Sequence, residues 1–138
     1  MTLPGSAPTA TDVAINDEIE KLIQEKGLTA PRVTPADIES NIASERYFTA
    51  EHGVEGAVAR GELWQIDRTL RTVESRLHLL TFCVLVLQNG FIVTGEAACA
   101  SPENFNAETG RAAARKDAVS KIWPLMGYAL CSKLAAVE

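Results

Sequence analysis

The chain predicts an α+β fold in which helices pack on a small antiparallel sheet centred on one β-hairpin, at about residues 81–98. Three observations predict it. An unbroken apolar run, Phe82 to Leu87, is followed by Gln88-Asn89-Gly90 and a second β-prone run, Phe91-Ile92-Val93-Thr94. Asn-Gly between two such runs is the strongest short-range hairpin signal and points to a type I′ turn, with positive φ at both central residues. On both sides of this hairpin, apolar residues recur at helical spacing between capping and stop residues.

Met1 to Ala10, rich in Pro, Ala, Gly, Ser and Thr, reads as a flexible arm, with residues 11–138 forming a single domain. From about Thr11 to Lys26, the residues Val13, Ile15, Ile19, Leu22 and Ile23 keep a helical rhythm, and Gly27 supplies the stop. Thr34-Pro35-Ala36-Asp37 starts a second helix with a capping-box pattern. Its rhythm carries it to about Arg46 with Ile38 and Ile42 inward, and Tyr47-Phe48 packs where it ends. Gly53, Gly56 and Gly61 break the next stretch. Leu63, Ile66, Leu70, Val73, Leu77 and Leu80 then fall at three- and four-residue steps, predicting an amphipathic helix from about Glu62 to Ser75. A packed core helix and a dimerisation helix both fit that pattern.

A lone hairpin is marginal in water, so further strands must come from the rest of the chain or from another subunit. The continuous apolar run Phe82 to Leu87 implies burial on both faces of its strand, which favours an oligomer that completes the core. Beyond the hairpin, Ser101-Pro102 is a helix-start signal. A long helical region follows from about Ala107 to Ala136, with Pro124 predicting a kink or a break.

At 138 residues and a mean hydropathy near zero, the chain has the size and composition of one globular domain. Its net charge of −5 argues against broad nucleic-acid affinity, which depends on basic residues neutralising phosphates. No basic start followed by an apolar core marks a secretory leader, and no apolar run is long enough to span a bilayer. Cys83, Cys99 and Cys131 lack CxxC spacing and read as reduced, buried thiols of a cytoplasmic protein. His52 and His78 stand in no metal-ligand pattern, so neither a metal nor a cofactor is expected. There is no Ser-His-Asp order, GxSxG, P-loop, HExxH or paired-acid pattern. The expected activity is binding, without catalysis.

Arg111 and Arg115 stand at i, i+4 on the long helix. With Arg111 at zero and about 100° per residue, Ala112, Val119, Ile122 and Trp123 define an apolar stripe near ~80°, and Arg115 lies near ~40°. Both arginines border that stripe, while Asp117 and Lys121 fall on the solvent side. An arginine in such a position is a snorkelling residue, an ion-pair partner or an anion contact, and Glu108 at i, i+3 is the intrahelical partner open to Arg111. Asn104 and Asn106 beside Phe105 offer amide and stacking contacts for a nucleotide; helix capping and core packing account for them better.

The segment RVTPADIESNIASERYFTA and the longer LTFCVLVLQNGFIVTGEAACASPENFNAETGRAAARKDAVSKIWPLMGYAL resemble a family of small proteins encoded by tailed phages and prophages. The blocks NGF-x-V-T-G-E-x-A-C, SPENF and K-I-W-P-L-x-G-Y carry the resemblance, which spans about two thirds of the chain. That family is similar to, and looks to include, the phage anti-Thoeris sponge proteins. Thoeris defence converts NAD into a cyclic ADP-ribose isomer that activates a killing effector; a sponge binds the messenger without cleaving it. Some members also sequester the cyclic trinucleotides of CBASS defence at separate sites.

The resemblance implies a homo-oligomer, a dimer or a hexamer built as a trimer of dimers, acting in the host bacterial cytoplasm. It implies Arg111 and Arg115 as the pyrophosphate-binding pair, at the GR-x-x-x-R position, with Phe82, Asn89, Phe91 and Asn104 as base or ribose contacts. The alternative function is a phage structural or protein-interaction module without a small-molecule ligand, its arginines paired with carboxylates. A DNA-binding regulator fits least, because no recognition helix or extended basic patch is visible.

Overall fold

Ile42–Thr49 (β1), Leu80–Leu87 (β2) and Ile92–Ala98 (β3) form one antiparallel sheet in the order β1-β2-β3. Among the described residues four helices accompany it: Ala10–Glu25 (α1), Pro35–Ser40 (α2), Ala50–Ala59 (α3) and Ala107–Val137 (α4). Single 3-10 turns at Leu77–Leu79 and Pro102–Asn104 flank the hairpin. These elements come from a computed structural model, which describes residues 10–28, 30–62 and 76–137. The expected arm and the expected helix at about Glu62 to Ser75 lie almost wholly outside the described residues. The α+β architecture is the one expected.

The first helix ends as its glycine predicts. Gly27 adopts φ +64°, its N–H donates to Gln24 C=O, and Leu28 N–H reaches back to Ile23 C=O, so free carbonyls of the last turn are satisfied. The second helix starts as predicted too. Thr34 Oγ1 accepts the Asp37 N–H and Asp37 Oδ2 accepts the Thr34 N–H, a complete capping box that seats Ile38 in the core.

It then stops at Ser40, not near Arg46, and residues 42–49 are a strand. Asn41 is the reason. Its backbone carbonyl and its Oδ1 both accept from the Gln88 N–H, at 2.9 and 3.2 Å, which ties the chain to the hairpin turn and sets Ile42 against Leu87. The spacing of Ile38 and Ile42 imitates a helix, but the β-prone run that follows pairs with β2. This strand also supplies, within the chain, the third strand that a marginal hairpin needs.

At the turn, Gly90 is the residue with positive φ, at +89°, and Asn89 is not. The connection is therefore not type I′. Gly90 N–H donates to Leu87 C=O and Leu87 N–H to Phe91 C=O, the pattern of a three-residue loop with glycine in the left-handed position. Asn89 contributes through its side chain, whose Oδ1 accepts the Phe91 N–H at 2.9 Å.

Two further glycines behave unexpectedly. Gly53 and Gly56 lie inside α3, because the reciprocal cap of Thr49 and His52 starts that helix strongly enough to carry them. Likewise Ser101-Pro102 opens only a 3-10 turn, without a side-chain cap from Ser101. The long helix begins five residues later, where Asn106 Oδ1 accepts the Thr109 N–H. The helix continues through Pro124 to Val137, so of the expected kink or break it is the break that is absent.

The sheet buries one face under α4. Burial in β2 alternates: Thr81, Cys83, Leu85 and Leu87 are buried, while Phe82, Val84 and Val86 on the outer face are half-buried. The apolar run is thus fully covered on one face only. The buried residues of α4 are Gly110, Ala113, Ala114, Ala118 and Ile122, whereas Trp123 is 39% exposed. The helix is therefore rotated from the orientation expected from its large apolar residues.

Gly95 on β3 explains the rotation. A Cβ there would lie 2.0 Å from the Ala114 carbonyl oxygen and 2.4 Å from the Ala118 nitrogen. The helix backbone rests directly on the strand, and only its small-residue face permits that approach. Asp117 and Lys121 consequently face β3, with Asp117 Oδ2 accepting the Glu96 N–H at 2.9 Å and Lys121 Nζ donating to Thr94 C=O at 2.6 Å. Cys83 and Cys99 are buried; Cys131, on the distal part of α4, is exposed. No described helix is long and apolar enough to cross a membrane.

Candidate functional site

The start of α4, the end of β1 and the start of β2 converge on a cavity of about 270 Å³. Tyr47, Phe48 and Thr49 line it from β1, Glu51 and His52 from α3, His78 and Thr81 from the 3-10 turn and β2, and Phe105, Ala107 and Arg111 from the approach to α4. His52 Nδ1 accepts the Thr49 N–H at 3.0 Å, so in the neutral ring the proton sits on Nε2. His78 stands edge-on to Phe105, with ring centroids 5.5 Å apart.

Thr81 is the unusual member. It is 2% exposed, and among the described residues its hydroxyl has no hydrogen-bond partner. A buried unsatisfied hydroxyl costs about 1–3 kcal/mol, so such groups are rare without a reason. Gly110 brings α4 close to it: a Cβ at that glycine would lie 2.8 Å from Thr81 Oγ1. The first turns of a 31-residue helix, at its positive dipole end, therefore pack against a donor that lacks a described acceptor.

Arg111 lies one turn into the same helix. It is exposed, and among the described residues neither Glu108 nor any other carboxylate pairs with it. A guanidinium and a hydroxyl in one cavity offer donors to an anion, beside the rings of Tyr47, Phe48 and Phe105, two histidines and one carboxylate, Glu51.

Arg115 is placed differently. Its Nη1 and Nη2 donate to the Glu39 carboxylate at 3.1 and 2.7 Å, and its Nε donates to Glu45 Oε1. The Glu39 carboxylate beside it pushes the Arg115 guanidinium well above the usual arginine range, and Glu45 adds to that. Burial raises the Glu45 carboxyl, but hydrogen bonds from Arg115 and Tyr47 outweigh it and hold it below the ordinary value. Burial, then the hydrogen bond to Glu45, pushes the Tyr47 hydroxyl upward. Tyr47 therefore links the cavity to the Arg115 cluster.

Of the other residues picked out from the sequence, Phe105 lines the cavity, and Phe82, Asn89, Phe91 and Asn104 do not. Phe82 lies on the outer sheet face against Phe48, with ring centroids 5.4 Å apart, and so reaches the cavity only through that ring. Asn89 and Phe91 sit at the hairpin turn, beyond the stretch from Thr81 to Leu87 that spans about 20 Å of strand. Asn104 closes a 3-10 turn through its N–H to Ser101 C=O. Thr81, Tyr47, Thr49 and the two histidines were not singled out from sequence. Thr81 had one readable signal, a polar residue at the edge of an otherwise apolar strand.

Comparison with known proteins gives one match. Residues 33–134, nearly three quarters of the chain, match the model of the Phage protein (N4 Gp49/phage Sf6 gene 66) family. The chain belongs to that family. The matched span runs from before α2 into the last turns of α4 and includes every residue that lines the cavity. No curated protein and no solved structure matches the chain.

Proposed function

We propose that this phage-family protein is a sponge: it binds a cyclic ADP-ribose-type immune messenger at the Arg111 cavity and holds it without turnover. It thereby keeps a Thoeris effector inactive in the host bacterial cytoplasm, and it extends to cyclic oligonucleotides of CBASS defence if a second class of site exists. The observation that carries this reading is Arg111, which no described carboxylate pairs, in one cavity with the buried Thr81 hydroxyl, which has no described partner. A pyrophosphate supplies the acceptors these donors lack, and an adenine face suits Phe105, Tyr47 and Phe48.

The cavity lies just below the usual 300–1,000 Å³ range of small-molecule sites. It therefore accommodates one end of such a ligand, and a second subunit is proposed to enclose the rest. The half-buried outer sheet face supports such a homo-oligomer, since Phe48 and Ile92 are 39% and 59% exposed there. A rival reading, a protein-interaction module without a ligand, draws support from Arg115, whose charge is already met by carboxylates.

The test incubates the purified protein with the cyclic ADP-ribose isomer, removes free ligand, denatures by heat and identifies what is released by mass spectrometry. Stoichiometric release of intact messenger, lost in Arg111→Ala, is expected. A hydrolysed product would make the protein an enzyme, and absence of bound ligand would favour the interaction module.

A further inference from the structure

Arg115 and the cavity are joined by β1. Tyr47 lines the cavity, Glu45 lies two residues before it on the same face of that strand, and Glu45 accepts from Arg115 Nε. Arg111 and Arg115 are separated by about 6 Å along the helix axis, a spacing that two linked phosphates can span. Yet the two-pronged edge of Arg115, formed by Nη1 and Nη2, is already filled by the Glu39 carboxylate. A carboxylate in that fork occupies the place that a phosphate would take, since both bind guanidinium by the same parallel hydrogen bonds.

The two glutamates are not equivalent. Glu45 stands on a strand and is 37% exposed at its side chain. Glu39 stands near the end of the six-residue helix α2 and is 58% exposed, with Arg115 as its side-chain partner. Glu45 therefore fixes the guanidinium plane through Nε, and Glu39 can leave into water at little cost. The cluster of Arg115, Glu39 and Glu45 carries one negative charge overall, and loses it when Glu39 swings away.

We infer that Glu39 is an internal counter-carboxylate: it fills the Arg115 fork in the free protein and is displaced by the second phosphate of a pyrophosphate ligand. This rests on the reading of the Arg111 cavity as an anion site. A monophosphate satisfies Arg111 and the helix start and leaves the Glu39–Arg115 pair intact. A pyrophosphate must compete with Glu39, and gains the Arg115 fork in return. Glu39 thereby acts as a specificity residue, setting the affinity for two linked phosphates without affecting the affinity for one.

The experiment measures binding of ADP-ribose and of AMP by titration calorimetry to the full-length protein and to Glu39→Gln, Arg115→Ala and Arg111→Ala. Glu39→Gln keeps size and removes the charge. It is expected to tighten ADP-ribose about tenfold, the scale of one lost charged competitor, and to change AMP less than twofold. Arg115→Ala is expected to weaken ADP-ribose by a similar factor and to spare AMP. In a 15N spectrum of the unmodified protein, the Arg115 Nε–H signal should shift with ADP-ribose and stay in place with AMP.

Unchanged or weaker ADP-ribose binding by Glu39→Gln overturns the counter-carboxylate. If AMP still binds and Arg111→Ala abolishes it, the anion cavity survives that result. Failure of both nucleotides to bind either protein at millimolar concentration removes the cavity reading and this inference together.

Discussion

Arg111 and Arg115 occupy the same face of α4 one turn apart, and yet no described carboxylate pairs with the first while two hold the second. The difference comes from β1, which runs beside both. At the level of Arg115 the strand presents Glu45, and the end of α2 adds Glu39. At the level of Arg111 it presents Tyr47, Phe48 and Thr49, none of them anionic. Two residues with identical local propensity thus acquire different roles from the partners that tertiary structure brings. One arginine is a structural clasp between helix and sheet edge; the other is a free cation in a cavity.

The comparison depends on how α4 is seated, and Gly95 controls the seating. A Gly95→Val variant places side-chain atoms where the Ala114 carbonyl and Ala118 nitrogen now lie. Neither is a flexible side-chain end, so the helix must lift as a unit. Overpacking against backbone is expected to cost about 3 kcal/mol or more, with loss of both the Arg115 clasp and the cavity. Chemical denaturation checks it. A midpoint within experimental error of the parent would show that the helix does not rest on this glycine.

The same contact shows why part of the fold was legible in the sequence and part was not. Caps and stops are local, and Thr34-Pro35-Ala36-Asp37, Gly27 and the hairpin's two apolar runs could be read directly. The orientation of α4 is not local. Weighing Val119, Ile122 and Trp123 above alanines selected the wrong stripe, because the decisive property was smallness opposite Gly95. The strand at residues 42–49 was missed for a related reason: Asn41 commits the chain through Gln88, 47 residues away in sequence. In the site, Arg111 could be picked out as a cation on a helix near its start. Thr81 and Tyr47 could not, since their meaning lies in partners absent or present across the sheet.

Replacing each arginine separately sharpens the comparison. Arg115→Ala leaves two carboxylates facing each other without a cation and is expected to destabilise the fold by about 1 kcal/mol. Arg111→Ala removes no described pair and should stay within about 0.5 kcal/mol of the parent. The pH dependence separates them further. Glu45 is held below the ordinary glutamate value of 4.5, so its pairing contributes fully above that value and is lost as pH falls through the lowered one. Thermal melts from pH 7 down to pH 3 should therefore show the gap between parent and Arg115→Ala narrowing below pH 4.5, with no such trend for Arg111→Ala. Equal destabilisation by the two substitutions would erase the distinction between clasp and free cation.

The smallest expected effect tests what the cavity is for. Thr81→Val keeps the shape of a buried side chain and removes a hydroxyl that has no described partner. If the hydroxyl serves only the fold, its loss should be neutral or harmful. If it is held ready for an incoming acceptor, the unliganded protein carries an unmet desolvation cost that valine relieves. The expected result is a gain of about 1 kcal/mol in stability without ligand, the lower end of the range for an unsatisfied buried group. AMP binding should weaken at the same time, because the anion loses one donor while Arg111 and the helix start remain. Stability and affinity moving in opposite directions is the signature of a binding group, as function-bearing polar groups are retained at the expense of the empty fold. A variant that melts lower than the parent and binds AMP equally well would instead make Thr81 a structural residue, and would leave anion binding to Arg111 and the other polar side chains that line the cavity.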